Sequence, residues 1–186
     1  MAIRNTLLGG TDWPHGAAAK AIDLNDTFDA VIDWVPIETL SPSGVSTITT
    51  TGTLDVYDQY LLVIHNLLGG EATERNIQIR FNGDTGNNYS YQESNATLTT
   101  GASASRIASV KSTVYINGTV LIGGKTPAVA SGVLSLISNC PSAGNSHPTY
   151  LTGLWAGGND TQITSITILP SSSTITGTIK VYGRNF

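Results

Sequence analysis

From "SPSG" (Ser41–Gly44) onward the apolar residues of this chain recur with a period of two, and this period restricts the fold more than any other feature. "VSTITTTGTL" alternates around Val45 and Ile48, and "RNIQIRF" sets Ile77, Ile79 and Phe81 against Asn76, Gln78 and Arg80. Arg80 is thereby directed away from the core face. "YDQYLLVIHNL" is a nearly continuous apolar run, the pattern of a strand buried on both faces. Further strands read as "SRIASVKSTVYING", "GVLSLISN", "TYLTGLWAG", "TQITSITILP" and "GTIKVYGRN", each set off by Gly, Ser, Asn or Pro clusters. Seven or eight short strands with no further helical period predict an all-β fold, an antiparallel jelly-roll-like β-sandwich over residues 41–186.

Residues 1–40 follow a different rule. In "DLNDTFDAVIDWV" the residues Leu24, Phe28, Val31, Ile32 and Val35 recur at helical spacing, Asp23 suits the N-cap and Asp26 the first turn. Pro36 ends the pattern. The expected unit is a short N-terminal arm and helix, with the boundary near residue 40. A helix of about three turns with a narrow apolar face is marginal alone in water, so it needs a surface to pack on.

The chain of 186 residues suits one domain and a small appendage. Charged residues make up 12%, about half the usual share, and Ser, Thr, Asn and 20 glycines take their place. With a formal net charge of −4, the chain has nothing with which to neutralise a phosphate backbone, so nucleic acid is not expected as a partner. No apolar run reaches the roughly 18 residues of a membrane span and the start "MAIRNTLLGG" has no signal-peptide core, so synthesis in the cytoplasm and no membrane partner are expected. One cysteine, Cys140, excludes an internal disulfide.

Catalytic patterns are missing. His15, His65 and His147 stand far apart, and no GxSxG, HExxH, Walker loop or strand-linked GxGxxG occurs. The expectation is a protein that is not an enzyme and needs no cofactor or metal. One stretch invites closer reading, "IRFNGDTGNNYSYQ" (Ile79–Gln92). Asn82, Asp84, Asn87 and Asn88 could serve as oxygen ligands for calcium, but Gly86 falls where a third ligand belongs and no closing glutamate follows. Asn-Gly, Thr-Gly and Asn-Asn are what a hairpin turn with positive φ requires. The other reading is a ligand-contact loop of Asn82, Asp84, Asn88, Tyr89, Tyr91 and Trp155, with Tyr89, Tyr91, Tyr150 and Trp155 as a sugar-stacking platform. Aromatics on strands more often pack within the sheets.

Three stretches, in this order, resemble small virion proteins of tailed phages and related viruses: "GGTDWPHGAAAKAIDLNDTFDAV", "IQIRFNGDTGNNYSYQ" and "ITSITILPSSSTITGTIKVYGRNF". They are similar to the lead-in, the central hairpin and the closing hairpin of β-sandwich modules in tail-fibre, head-fibre and capsid-decoration proteins. The resemblance implies a virion structural protein that self-associates, often as a trimer, on a capsid or tail protein of the same virion. It further implies docking through the arm, with Trp13, Leu24, Phe28, Ile32 and Trp34 as apolar contacts. No heptad shaft or triple-β repeat is present, which favours a compact decoration, short head fibre or adaptor over a long fibre. A module binding a host surface glycan is the alternative.

Overall fold

The computed structural model describes residues 34–93, 96–123, 131–141, 148–157 and 162–185. Among them there is no helix; they form thirteen strands, β1 (Val35–Leu40), β2 (Ser43–Val45), β3 (Ile48–Thr49), β4 (Gln59–Gly69), β5 (Arg75–Phe81), β6 (Tyr89–Glu93), β7 (Thr99–Ala102), β8 (Ser105–Val110), β9 (Val114–Gly123), β10 (Ser131–Pro141), β11 (Pro148–Trp155), β12 (Ile166–Pro170) and β13 (Ile175–Arg184). All pairings are antiparallel. The larger sheet has the order β1-β13-β4-β9-β10-β11-β6-β7, with β2 also on β13, and the smaller has the order β3-β12-β5-β8.

The two sheets share one apolar core. Ile77, Ile79 and Phe81 of β5, Ile107 of β8, and Ile166 and Ile168 of β12 meet Tyr60, Leu62 and Ile64 of β4, Ile116, Val120 and Ile122 of β9, and Ile179 and Val181 of β13. Each set comes from alternate positions, because successive side chains of a strand point to opposite faces. Polar contacts also bridge the layers. The Ser135 hydroxyl on β10 donates to the Ile107 carbonyl at 2.6 Å, and Arg106 on β8 pairs with Glu93 on β6 at 2.9 Å.

Four sequence expectations change in detail. The first strand starts at Val35, within the span assigned to the arm, because Val35–Leu40 pairs with the C-terminal strand β13. The arm and helix up to residue 33 lie outside the described residues. The "YLLVI" run alternates, with Tyr60, Leu62 and Ile64 buried and Leu61 and Val63 half-exposed on the outer face, so β4 is covered on one side only among the described residues. Both expected hairpins are crossings instead: β5 and β6 belong to different sheets, as do β12 and β13. Turn chemistry is local, whereas the partner of each strand is chosen by burial across the core.

A bulge interrupts the ladder between β4 and β9. Register shifts between Ile64 and Leu67 of β4, where Asn66 takes φ 51° and its N–H donates to the Asn117 side chain at 2.8 Å. Opposite Ile64 on β9 stands Gly118, φ 156°, where a Cβ would overlap the Leu136 carbonyl oxygen and lie 2.8 Å from Ile137 Cα. Only glycine leaves room for the neighbouring strand there.

Candidate functional site

The segment that carries β5 into β6 begins with Asn82 at φ 53° and Gly83 at φ 68°, and the Asp84 N–H donates to the Phe81 carbonyl at 2.9 Å. Two successive left-handed residues make the type I′ geometry that Asn-Gly favours. The turn points the chain from the smaller sheet toward the larger one, and each polar side chain then fastens it.

Asn82 ties the crossing to the segment before β12. Its Oδ1 accepts from the Thr164 N–H at 2.7 Å, the Thr164 hydroxyl at 3.1 Å and the Ser165 N–H at 3.2 Å, and its Nδ2 donates to the Gln162 carbonyl at 2.8 Å. Asp84 ties it to β11. Its Oδ2 accepts from Trp155 Nε1 at 2.7 Å and Asn88 Nδ2 at 2.9 Å, while Oδ1 accepts from the Gly86 N–H at 2.8 Å. Partial burial opposes ionisation of Asp84, but the hydrogen bonds from Trp155, Asn88 and Gly86 outweigh it and hold the carboxyl below the usual carboxylate range.

Beneath the crossing lies an aromatic cluster. Phe81 and Trp155 have ring centroids 5.3 Å apart, Tyr89 and Trp155 6.3 Å, and Phe81 and Tyr89 6.4 Å. Trp155 is 3% exposed and Tyr89 1%, so neither ring offers a face to a ligand. The Tyr89 hydroxyl accepts from the Phe81 N–H at 2.9 Å and donates to the Asp84 carbonyl at 3.3 Å. Burial, with the Asp84 charge nearby and against the Phe81 hydrogen bond, pushes its pKa up to about 12.

Five of the residues expected in a ligand-contact loop thus come together: Asn82, Asp84, Asn88, Tyr89 and Trp155. Their polar atoms are engaged with one another and with backbone, and their rings lie in the core. The arrangement is a clasp between the sheets. The three donors to the Asp84 carboxylate are N–H groups aimed at the lone pairs a cation would need, and among the described residues no cluster of His, Cys, Asp and Glu could hold a metal ion.

Tyr91 stands apart. Opposite Gly153 and half-buried, it lines an open groove of about 340 Å³ with Ser90, Gln92, Leu98, Thr152 and Leu154. Arg80 points away from the core, as the alternation requires, and its Nε donates to the Ser103 carbonyl at 3.0 Å. Of the arm contacts, Trp34 has the Arg184 guanidinium 4.8 Å from its ring centroid, and Trp13, Leu24, Phe28 and Ile32 lie outside the described residues. His65 is exposed on β4; His15 and His147 are likewise outside the described residues.

The outer face of β9, β10 and β11 exposes Tyr150, expected in the sugar-stacking platform, together with Tyr115, Leu134, Leu136 and Leu154, which sequence reading overlooked. The available signal was "GVLSLIS", apolar at both parities: Val133 and Ile137 face the core, Leu134 and Leu136 face out.

No family model matches the chain, and no curated protein does either. Among solved structures it is similar to the crystal structure of Scytalido-glutamic peptidase with a peptide based transition state analog, at 9% identity over 78% of this chain and 72% of that one. The TM-score of 0.24 makes this likeness too weak to bear on fold or activity.

Proposed function

We propose that this chain is a non-enzymatic structural protein of a virion exterior, a capsid decoration, short head fibre or tail-associated subunit. The N-terminal arm docks it on a capsid or tail protein, and a β-sandwich faces outward as part of a homo-oligomer, a trimer by the resemblance stated above. The observation that carries this reading is the clasp. "RFNGDTGNNY", within one of the three stretches that resemble virion β-modules, has Asn82, Asp84 and Tyr89 engaged in joining two sheets rather than aimed at a substrate.

Strand order supports the finer description as a jelly roll. β1-β13-β4-β9 over β3-β12-β5-β8 is the order of two Greek keys folded together, and β6-β7 and β10-β11 are then antiparallel insertions that widen one sheet. Few charges and many hydroxyls suit a subunit whose stability is shared among copies.

The test is a chain lacking residues 1–33. It should keep the far-UV spectrum of a β protein and fail to join particles assembled by the encoding virus. Incorporation at the full-length level would overturn the docking role of the arm.

A second reading, a host surface glycan bound beside Tyr91, is favoured by the uncharged hydroxyl and amide groups of Ser90, Gln92 and Thr152 in its groove. Tyr91→Ala should then abolish cell-surface binding with unchanged stability, and unaltered binding would remove this reading.

A further inference from the structure

The outer face of the larger sheet has an uncharged centre. On β9, β10, β11 and β6 no outward position among the described residues carries a charged side chain. Leu134 is 39% exposed, Leu136 44%, Leu154 50% and Tyr150 52%. These four are neighbours: Leu136 stands opposite Tyr150, Leu134 opposite Thr152, and Leu154 opposite Gly132. Contiguous apolar exposure of this kind marks an interaction surface. The basic groups Lys180 and Arg184 lie to one side, on β13 beyond β4.

We infer that this face is where copies of the chain pair with one another, an inference that rests on the homo-oligomeric part of the proposed function and names its surface. Three observations select a second copy as occupant. A face with no charge at its centre can meet a copy of itself without burying an unpaired charge or setting like charges together at the axis, whereas it offers nothing to a charged partner. Relief is also complementary to itself, since Leu154 protrudes beside Gly132 and Gly123, and Leu136 beside Thr119, so leucines of one copy can enter hollows of the next. Finally, the area suffices. β4, β9, β10 and β11 run 11, 10, 11 and 8 residues side by side, and with β6 they span roughly 24 Å by 27 Å, about 650 Å² in projection and more as accessible surface, which accommodates the about 800 Å² per partner of a stable interface. Outward Leu61 and Val63 on β4 extend the same surface, which accounts for a sequence run that reads as buried on both sides. The face serves a two-fold pair, or a trimer in which one half of it meets the other half of the next copy.

The test compares full-length chains by light scattering and sedimentation across a concentration series. Leu134→Lys with Leu136→Lys puts charge at the centre, and Thr152→Glu does so without removing an apolar group, which guards against a mere folding defect. The wild-type chain should be an oligomer, and both variants should dissociate at least about 30-fold more readily with unchanged far-UV spectra. A wild-type oligomer whose mass neither variant alters would overturn this face and leave the oligomeric reading standing. A monomeric wild-type chain would overturn both, and if its variants were then lost from particles, the face would belong to another particle protein.

Discussion

Removing the indole donor from the Asp84 carboxylate, by Trp155→Phe, isolates the bond that fastens the crossing segment to the larger sheet. The Nε1–H to Oδ2 contact is 2.7 Å and its acceptor is charged, which places it in the class contributing about 1.5–3 kcal/mol. Asp84 is half-exposed, so solvent screening selects the lower part of that range, about 1.5–2 kcal/mol. Neither single substitution reports this number alone. Trp155→Phe also leaves space in a ring cluster where Trp155 is buried, and Asp84→Ala also releases Asn88 and Gly86. The double-mutant cycle removes those terms, and its coupling energy should be about 1.5–2 kcal/mol at pH 7. By urea titration this is read from the midpoints at constant slope. The sign of the pH dependence follows from the lowered pKa of Asp84: the stabilisation is complete above the unfolded carboxyl value near about 4 and disappears as pH falls through the lower folded value. Coupling should therefore persist down to about pH 4 and decline as pH falls further. A coupling below about 0.5 kcal/mol at pH 7, or one that does not decline as pH falls below about 4, would refute the clasp.

Gly118→Ala should cost about 3 kcal/mol, because its Cβ has backbone on β10 in its place; an unchanged unfolding midpoint would contradict this. Alkaline pH tests the buried phenols. Burial raises the pKa of Tyr60, helped by Asp55 and Asp58, and that of Tyr89, so their contribution is full below about pH 10 and is lost as pH rises through the folded values. Stability should fall between about pH 10 and 12, and less steeply in Tyr60→Phe and Tyr89→Phe; identical slopes in all three chains would rule the assignment out.

Several of these features were legible beforehand. The period-two pattern identified an all-β chain, the core positions Ile77, Ile79 and Phe81, and the outward direction of Arg80. Asn82-Gly83 announced its own turn, since positive φ at both residues is a local preference of those side chains. Even the gathering of Asn82, Asp84, Asn88 and Tyr89 was foreshadowed by their closeness in sequence. Their engagement was not, because whether a carboxylate awaits a ligand or is already satisfied depends on Trp155, 71 residues away.

What the amino-acid order determines by itself is therefore whatever lies within a few residues: strand period, turn type, and which side of each strand is apolar. The sheet to which each strand belongs, the conversion of two apparent hairpins into crossings, and the use of Trp155 as a donor arise only when the two layers close. The same holds for the outer face. Leu134 and Leu136 share one apolar run with Val133 and Ile137 in sequence, and only the position of β10 in the sheet decides which pair faces the surface. The physical reason is that alternation assigns side chains to two faces, but solvent exclusion by a facing layer decides which of those faces is inside.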